Sequence, residues 1–256
     1  MPPKGPGSLR RLLAHDNALY PSFGRAARRA GVGDDVLDVK DNQAVVVTPA
    51  DAIPEVDLAH KRAWKAFDRQ DFDGAVEGFL EARRIAANHG EVAYKSENTL
   101  ALVYASMADF DAALQQTSRL KSLLQNAPDT IRARFRPALH TNRGVVYTRM
   151  ATRETDERRR KRLFELSYAE HCLAASIMLR STGRLDTERV WNVADLACRL
   201  GRFDETAAHL SAYWARDARL AKLLEIHSQT GEWPRFLARY QEADGRFVPS
   251  RKSDEP

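Results

Sequence analysis

Asn142 stands seven residues before Arg149, and Asn192 stands seven before Arg199. Seven residues are about two turns of α-helix, so each pair shares one helix face. An asparagine amide offers a donor and an acceptor, which suits the backbone of an extended peptide. A guanidinium forks onto a carboxylate. Lys95 and Asn98, three apart, extend the same row. The chemistry on offer is recognition of a peptide or protein segment with acidic character. The alternative is that these side chains are solvated on exposed helix faces, arginine being abundant throughout the chain.

Other reactive residues are scattered. The seven histidines stand at 15, 60, 89, 140, 171, 209 and 227. His171 adjoins Cys172, but neighbours on a helix point apart, so both are expected to pack or to face solvent. The chain has no phosphate-binding glycine loop, no GxGxxG, no GxSxG and no CxxC. The expectation is a non-enzymatic protein with no cofactor and no metal.

The densest basic run is ERRRKR at 157–162, with Arg158, Arg159, Arg160, Lys161 and Arg162. It could meet phosphate or an acidic protein surface. The alternative is a solvated first turn or loop insertion balanced by Glu154, Asp156, Glu157 and Glu165. A second basic segment, residues 1–32, carries Arg25, Arg28 and Arg29 in FGRAARRAGVGDDVLDV. That stretch has the outline of a helix-turn-helix, with Val45–Val47 as a following strand. Against DNA binding, Asp34, Asp35 and Asp38 fall on the would-be recognition helix, where phosphates would repel them. The alternative is an arm that caps the first helical unit.

The elements that must position these residues are written as a repeat. DFDGAVEGF at 71–79, DFDAALQQT at 109–117 and RFDETAAHL at 202–210 are versions of one phrase. Twelve residues before Ala75, Ala113 and Thr206 stand Ala63, Ala101 and Ala194, each on a helix-like stretch. Each unit reads as helix, tight turn, helix, with small residues where two axes must approach. Phe72, Phe110 and Phe203 fill the corner, and Asp73, Asp111 and Asp204 are placed to cap the second helix. Gly201 suits the exit from a first helix.

Small–x11–small with a corner aromatic resembles the tetratricopeptide repeat (TPR) superfamily, over about residues 57–243. Tyr104 and Tyr147 follow Ala101 and Gly144 where that family often has tyrosine, and TGEWPRFLARY reads as a degraded last unit with Trp233 at its corner. The units are spaced 38 (Ala75 to Ala113) and 37 (Ala169 to Thr206) residues apart, against about 34 in the family. The third is stretched: HTNRGVVYTRM reads as its first helix, and FELSYAEHCLAASIML as a partner that begins only after the basic run. Pro137 should start or kink a helix. The resemblance implies an all-α helical-hairpin solenoid of four or five units. Its first helices would line a peptide-holding groove at Lys95, Asn98, Asn142, Arg149, Asn192 and Arg199, with the third unit's Asn–Arg pair beside the fourth's.

Composition agrees with helices. Of 256 residues, 43% are hydrophobic, only 13 are Gly and 11 Pro, and the net charge is +5. Two cysteines cannot make a disulfide framework, which points to a reducing, cytoplasmic setting. The N-terminus lacks the apolar run of a secretory signal, and no stretch approaches the ~20 apolar residues of a membrane span. The expected organisation is a basic-then-acidic segment at 1–56, the repeats at 57–243 and a loose tail at 244–256. The function expected is a peptide-binding scaffold or adaptor. The alternative is a transcriptional regulator with an N-terminal DNA-binding segment and the repeats as sensor. Trp214, Trp233 and Phe236 are candidates for homo-oligomer contacts or for core.

Overall fold

A computed structural model describes residues 48–183 and 185–250. The proposed helix-turn-helix with Arg25, Arg28 and Arg29, and the Val45–Val47 run, lie outside the described residues. The described chain is almost entirely helical. After a short 3-10 turn (Pro49–Ala52) come α1 (Pro54–Asp68), α2 (Phe72–Asn88), α3 (Tyr94–Met107), α4 (Phe110–Gln125) and α5 (Asp129–Arg153). Then follow α6 (Glu157–Thr182), α7 (Thr187–Arg199), α8 (Phe203–Tyr213), α9 (Ala218–His227) and α10 (Trp233–Leu237). An antiparallel ribbon of β1 (Tyr240–Ala243) and β2 (Arg246–Pro249) ends the description.

Loops of two or three residues fold α1 on α2, α3 on α4, α5 on α6 and α7 on α8, and each hairpin packs on the next. The triple phrase is the sequence of one turn used three times. Gln70, Ala108 and Gly201, each two before a corner phenylalanine, all adopt left-handed backbone. In each turn the next amide reaches back five residues: Asp71 to the Ala66 carbonyl at 3.0 Å, Asp109 to Tyr104 at 2.9 Å, Arg202 to Ala197 at 2.9 Å. These bonds satisfy carbonyls that a helix end would otherwise leave open.

In the first two turns the cap falls two residues earlier than expected, and the third has no side-chain cap. Asp71 accepts from the Gly74 amide at 3.0 Å and Asp109 from the Ala112 amide at 3.1 Å. Only the residue before the helix can turn its carboxylate onto the third free N–H. Asp73, Asp111 and Asp204 sit within the first turn, where their charge favours the positive helix end. The small residues are at the closest approaches. Ala63, Ala75, Ala113, Ala194 and Thr206 are fully buried, and Ala101 nearly so. A side chain at Gly78 would meet Ala63 Cβ at 2.8 Å. One at Gly144 would meet the His171 ring at 2.5 Å.

The third hairpin differs from its expected outline. Helix α5 runs unbroken from Asp129, and Pro137 lies buried inside it rather than at its start. Helix α6 opens at Glu157, capped by Asp156, so the basic run is helical rather than a loop insertion. The last unit is not a full hairpin. Helix α10 has 5 residues and gives way to the ribbon. Through Ser250 the expected loose tail is thereby ordered, because Phe247 is drawn into the core against Trp214 and Phe236. Trp233 and Phe236 are core, with Trp233 stacked on Trp191 at 5.0 Å. No described helix is long and apolar enough to cross a membrane.

Candidate binding seam between α3 and α5

Helices α3 and α5 pack side by side, and two polar cross-links set their register. Asn142 Nδ2 donates to the backbone carbonyl and to Oδ1 of Asn98, both at 2.8 Å. Two turns on, Arg149 Nη1 donates to Ser106 Oγ at 2.7 Å, and Ser106 Oγ donates to the Leu102 carbonyl at 2.9 Å. Between the cross-links lie Leu102 and Val145, both half-buried. The seam thus reads polar, apolar, polar over about 11 Å, or roughly three residues of an extended chain.

Arg149 carries the electrostatics of this seam. It is half-buried, and burial, with Arg153 one turn on as a lesser cause, holds its pKa below the ordinary guanidinium value. No carboxylate among the described residues pairs with it. Arg153 rests over the Phe110 ring, 5.6 Å from its centroid, and is likewise without a carboxylate. A cation partly withdrawn from water and left beside a like charge favours an anion from outside the fold.

The other expected groove residues are placed differently. Lys95, three before Asn98, pairs through Nζ with Asp51 Oδ1 at 3.1 Å. Asp51 belongs to the turn before α1, where it and Thr48 cap each other's backbone. Arg199 donates from Nε to Asp195 Oδ2 at 2.7 Å and lies over Phe164, and Trp233 Nε1 donates to Asp195 Oδ1 at 2.9 Å. Asn192 is half-buried, and its side chain makes no hydrogen bond among the described residues. Helix α7 packs on α6 and α8, not as the side-by-side continuation of α5. Asn98, Asn142 and Arg149 are therefore gathered, with Lys95 at the edge, while Asn192 and Arg199 stand apart. In the basic run, Arg159 pairs with Glu154 at 3.5 Å and Arg162 with Glu165 at 3.6 Å.

Three buried polar clusters give no signal in the sequence pattern. Glu97, 1% exposed, accepts from Arg119 Nε with both oxygens at 3.0 Å, with Arg83 at 3.8 Å. Glu170 pairs with His140 Nδ1 at 2.7 Å and Arg143 Nη1 at 3.2 Å. Tyr168 donates to Glu205 Oε2 at 2.6 Å and meets His209 Nε2 at 3.0 Å, under the Arg202 guanidinium. Burial pushes the Tyr168 hydroxyl and the Cys172 thiol far up, and Cys198 up to about 12. Neither thiol is a thiolate near neutral pH. His171, next to Cys172, is buried against Gly144. Among the described residues, His, Cys, Asp and Glu side chains do not gather in threes as a metal site would need.

Compared with protein-family models, with curated proteins and with solved structures, the chain finds no match.

Proposed function

We propose that this chain is a non-enzymatic adaptor of the cytoplasm, a tetratricopeptide-like solenoid that holds an acidic, extended segment of a partner protein along the α3–α5 seam. The repeated turn supports the solenoid, since a hairpin with two apolar sides must stack on neighbours. The observation that carries the function is Arg149: oriented by Ser106, half out of water, and lacking a carboxylate among the described residues. In this reading Asn142 is a positioning residue. At 6% exposure its donor is used to tie α5 to α3, and it aims the seam rather than touching the ligand.

Selection of a random peptide library on the purified chain tests the reading. Recovered peptides should be enriched in Asp or Glu next to an apolar residue that fits Leu102 and Val145. Arg149→Gln should weaken a selected peptide by about tenfold to a hundredfold, as loss of a charge-assisted hydrogen bond does. Recovery of peptides with no acidic bias, or equal binding by the variant, would overturn it.

A further inference from the structure

We infer that the tip of the α5–α6 hairpin, which carries Arg153 in the last turn of α5 and Arg158, Arg160 and Lys161 in the opening turns of α6, is a separate surface that takes the phosphate backbone of a nucleic-acid duplex. It does not rest on the peptide reading: Arg158, Arg160 and Lys161, the residues its test replaces, lie outside the seam, and either reading can fail alone.

The placement of these cations is unfavourable for the fold itself. Asp156 caps α6, and Arg158 to Arg162 then occupy its first two turns. That end of a helix carries the positive pole of the backbone dipole, and each cation there loses stability. Arg158 lies three before Lys161 and four before Arg162, so like charges also face one another along one side. Arg153, in the last turn of α5, adds a cation that the dipole of its own helix favours and that makes no ion pair among the described residues.

The neighbouring carboxylates remove this charge only in part: Asp156 and Glu157 stand four before Arg160 and Lys161 at the opening of the helix. Glu154 serves Arg159, and Glu165 serves Arg162 and lies 3.9 Å from Arg202. Arg158, Arg160 and Lys161 make no ion pair among the described residues. A run that opposes the dipole, repels itself and outnumbers its acids is a local conflict of the kind that marks a site for an external anion.

The geometry favours a duplex over a single strand or an acidic protein. Single strands are held by stacking bases on bare rings. Here the nearby rings are covered, Phe110 by Arg153 and Phe164 by Arg199. What remains is a dense set of cations without an apolar centre, which matches closely spaced phosphates read without regard to sequence. An acidic protein surface would be expected to bury an apolar patch as well.

The test is fluorescence anisotropy of the full chain with a mixed-sequence DNA duplex, its separated strand and poly-glutamate, from about 50 to 200 mM salt. The duplex should bind most tightly, with log K falling linearly in log salt. Replacing three residues together, Arg158→Gln, Arg160→Gln and Lys161→Gln, should lower that slope by about 2.7, at about 0.9 per lost phosphate contact. The thermal midpoint should hold or rise, because dipole repulsion is relieved. Arg158→Lys with Arg160→Lys should keep the slope. Absence of duplex binding at low salt would overturn the proposal. So would an unchanged slope in the triple glutamine variant, a slope lost in the lysine variant, or tighter binding of the single strand or of poly-glutamate.

Discussion

Arg149 and Arg199 hold equivalent places in the repeat, and a single neighbour separates their roles. Asp195, four before Arg199, neutralises it, whereas the residue four before Arg149 is Val145. Burial decides the weight of a charge in the same way at Glu97, which is 1% exposed while its partner Arg119 is 52% exposed. Removing either member leaves a very different remainder. Without Arg119 a buried carboxylate keeps only Arg83 at 3.8 Å, and Arg119→Ala should cost about 2–3 kcal/mol. Without the charge on Glu97, Arg119 turns to water, and Glu97→Gln should cost about 1 kcal/mol. Urea unfolding of both variants checks the order, and equal losses would refute it. The Asn–x6–Arg pairing was legible because it recurs. Its partners are legible only in part: Asn98 extends the row at helical spacing, whereas Ser106 and Asp51 reach the seam only through the packing of separate elements.

At the scale of the element, the turn between paired helices makes the next prediction. Gln70, Ala108 and Gly201 share left-handed backbone, but only Gly201 lacks the Cβ that makes it strained. Ala108→Gly should therefore stabilise the chain by about 1 kcal/mol, and Gly201→Ala should destabilise it by a similar amount. A Cβ at Gly201 has nothing within 4 Å, so the effect is one of backbone alone. Thermal midpoints should move by a few degrees in opposite directions; a shift of the same sign in both variants would rule out the shared turn. The corner aromatics and the small residues of these turns were legible because each meets a need repeated at fixed spacing. The length of α5 and α6 was not. Pro137 reads as a helix start or a kink, and burial of its ring goes with a place inside α5. The ribbon was hidden for a similar reason: GRFVPS is short and polar but for Phe247 and Val248, and only the aromatic cluster it covers makes it a strand.

Across the whole molecule the core is a chain of local clusters between successive helices, not one centre. One joins α1, α2 and α3, another α4 and α5, and the largest runs from α6 to the ribbon. Three buried histidines stand at these contacts. His60 of α1 meets Ser96 of α3 at 2.7 Å, His171 of α6 lies on Gly144 of α5, and His209 of α8 meets Tyr168 of α6 at 3.0 Å. Burial lowers all three pKa values, to about 4 for His171 and for His209. In the unfolded chain a histidine titrates near 6.5. Between about pH 6.5 and 4 the unfolded state therefore binds more protons than the folded one, and stability must fall as pH falls through that window. His171 and His209 should each contribute about 3 kcal/mol to the loss. The surface-paired carboxylates act lower down. Lys61, Arg84 and Arg219 hold Asp57, Glu81 and Asp217 below their ordinary values, so their contribution is lost only below about pH 4. Urea midpoints measured from pH 7 to 4 should decline throughout, and His171→Gln should flatten the decline by the share of one histidine, whatever it does to stability at pH 7. A midpoint that stays level across that range would mean that these rings are open to water, and that the hairpins do not close on one another at the three contacts they occupy.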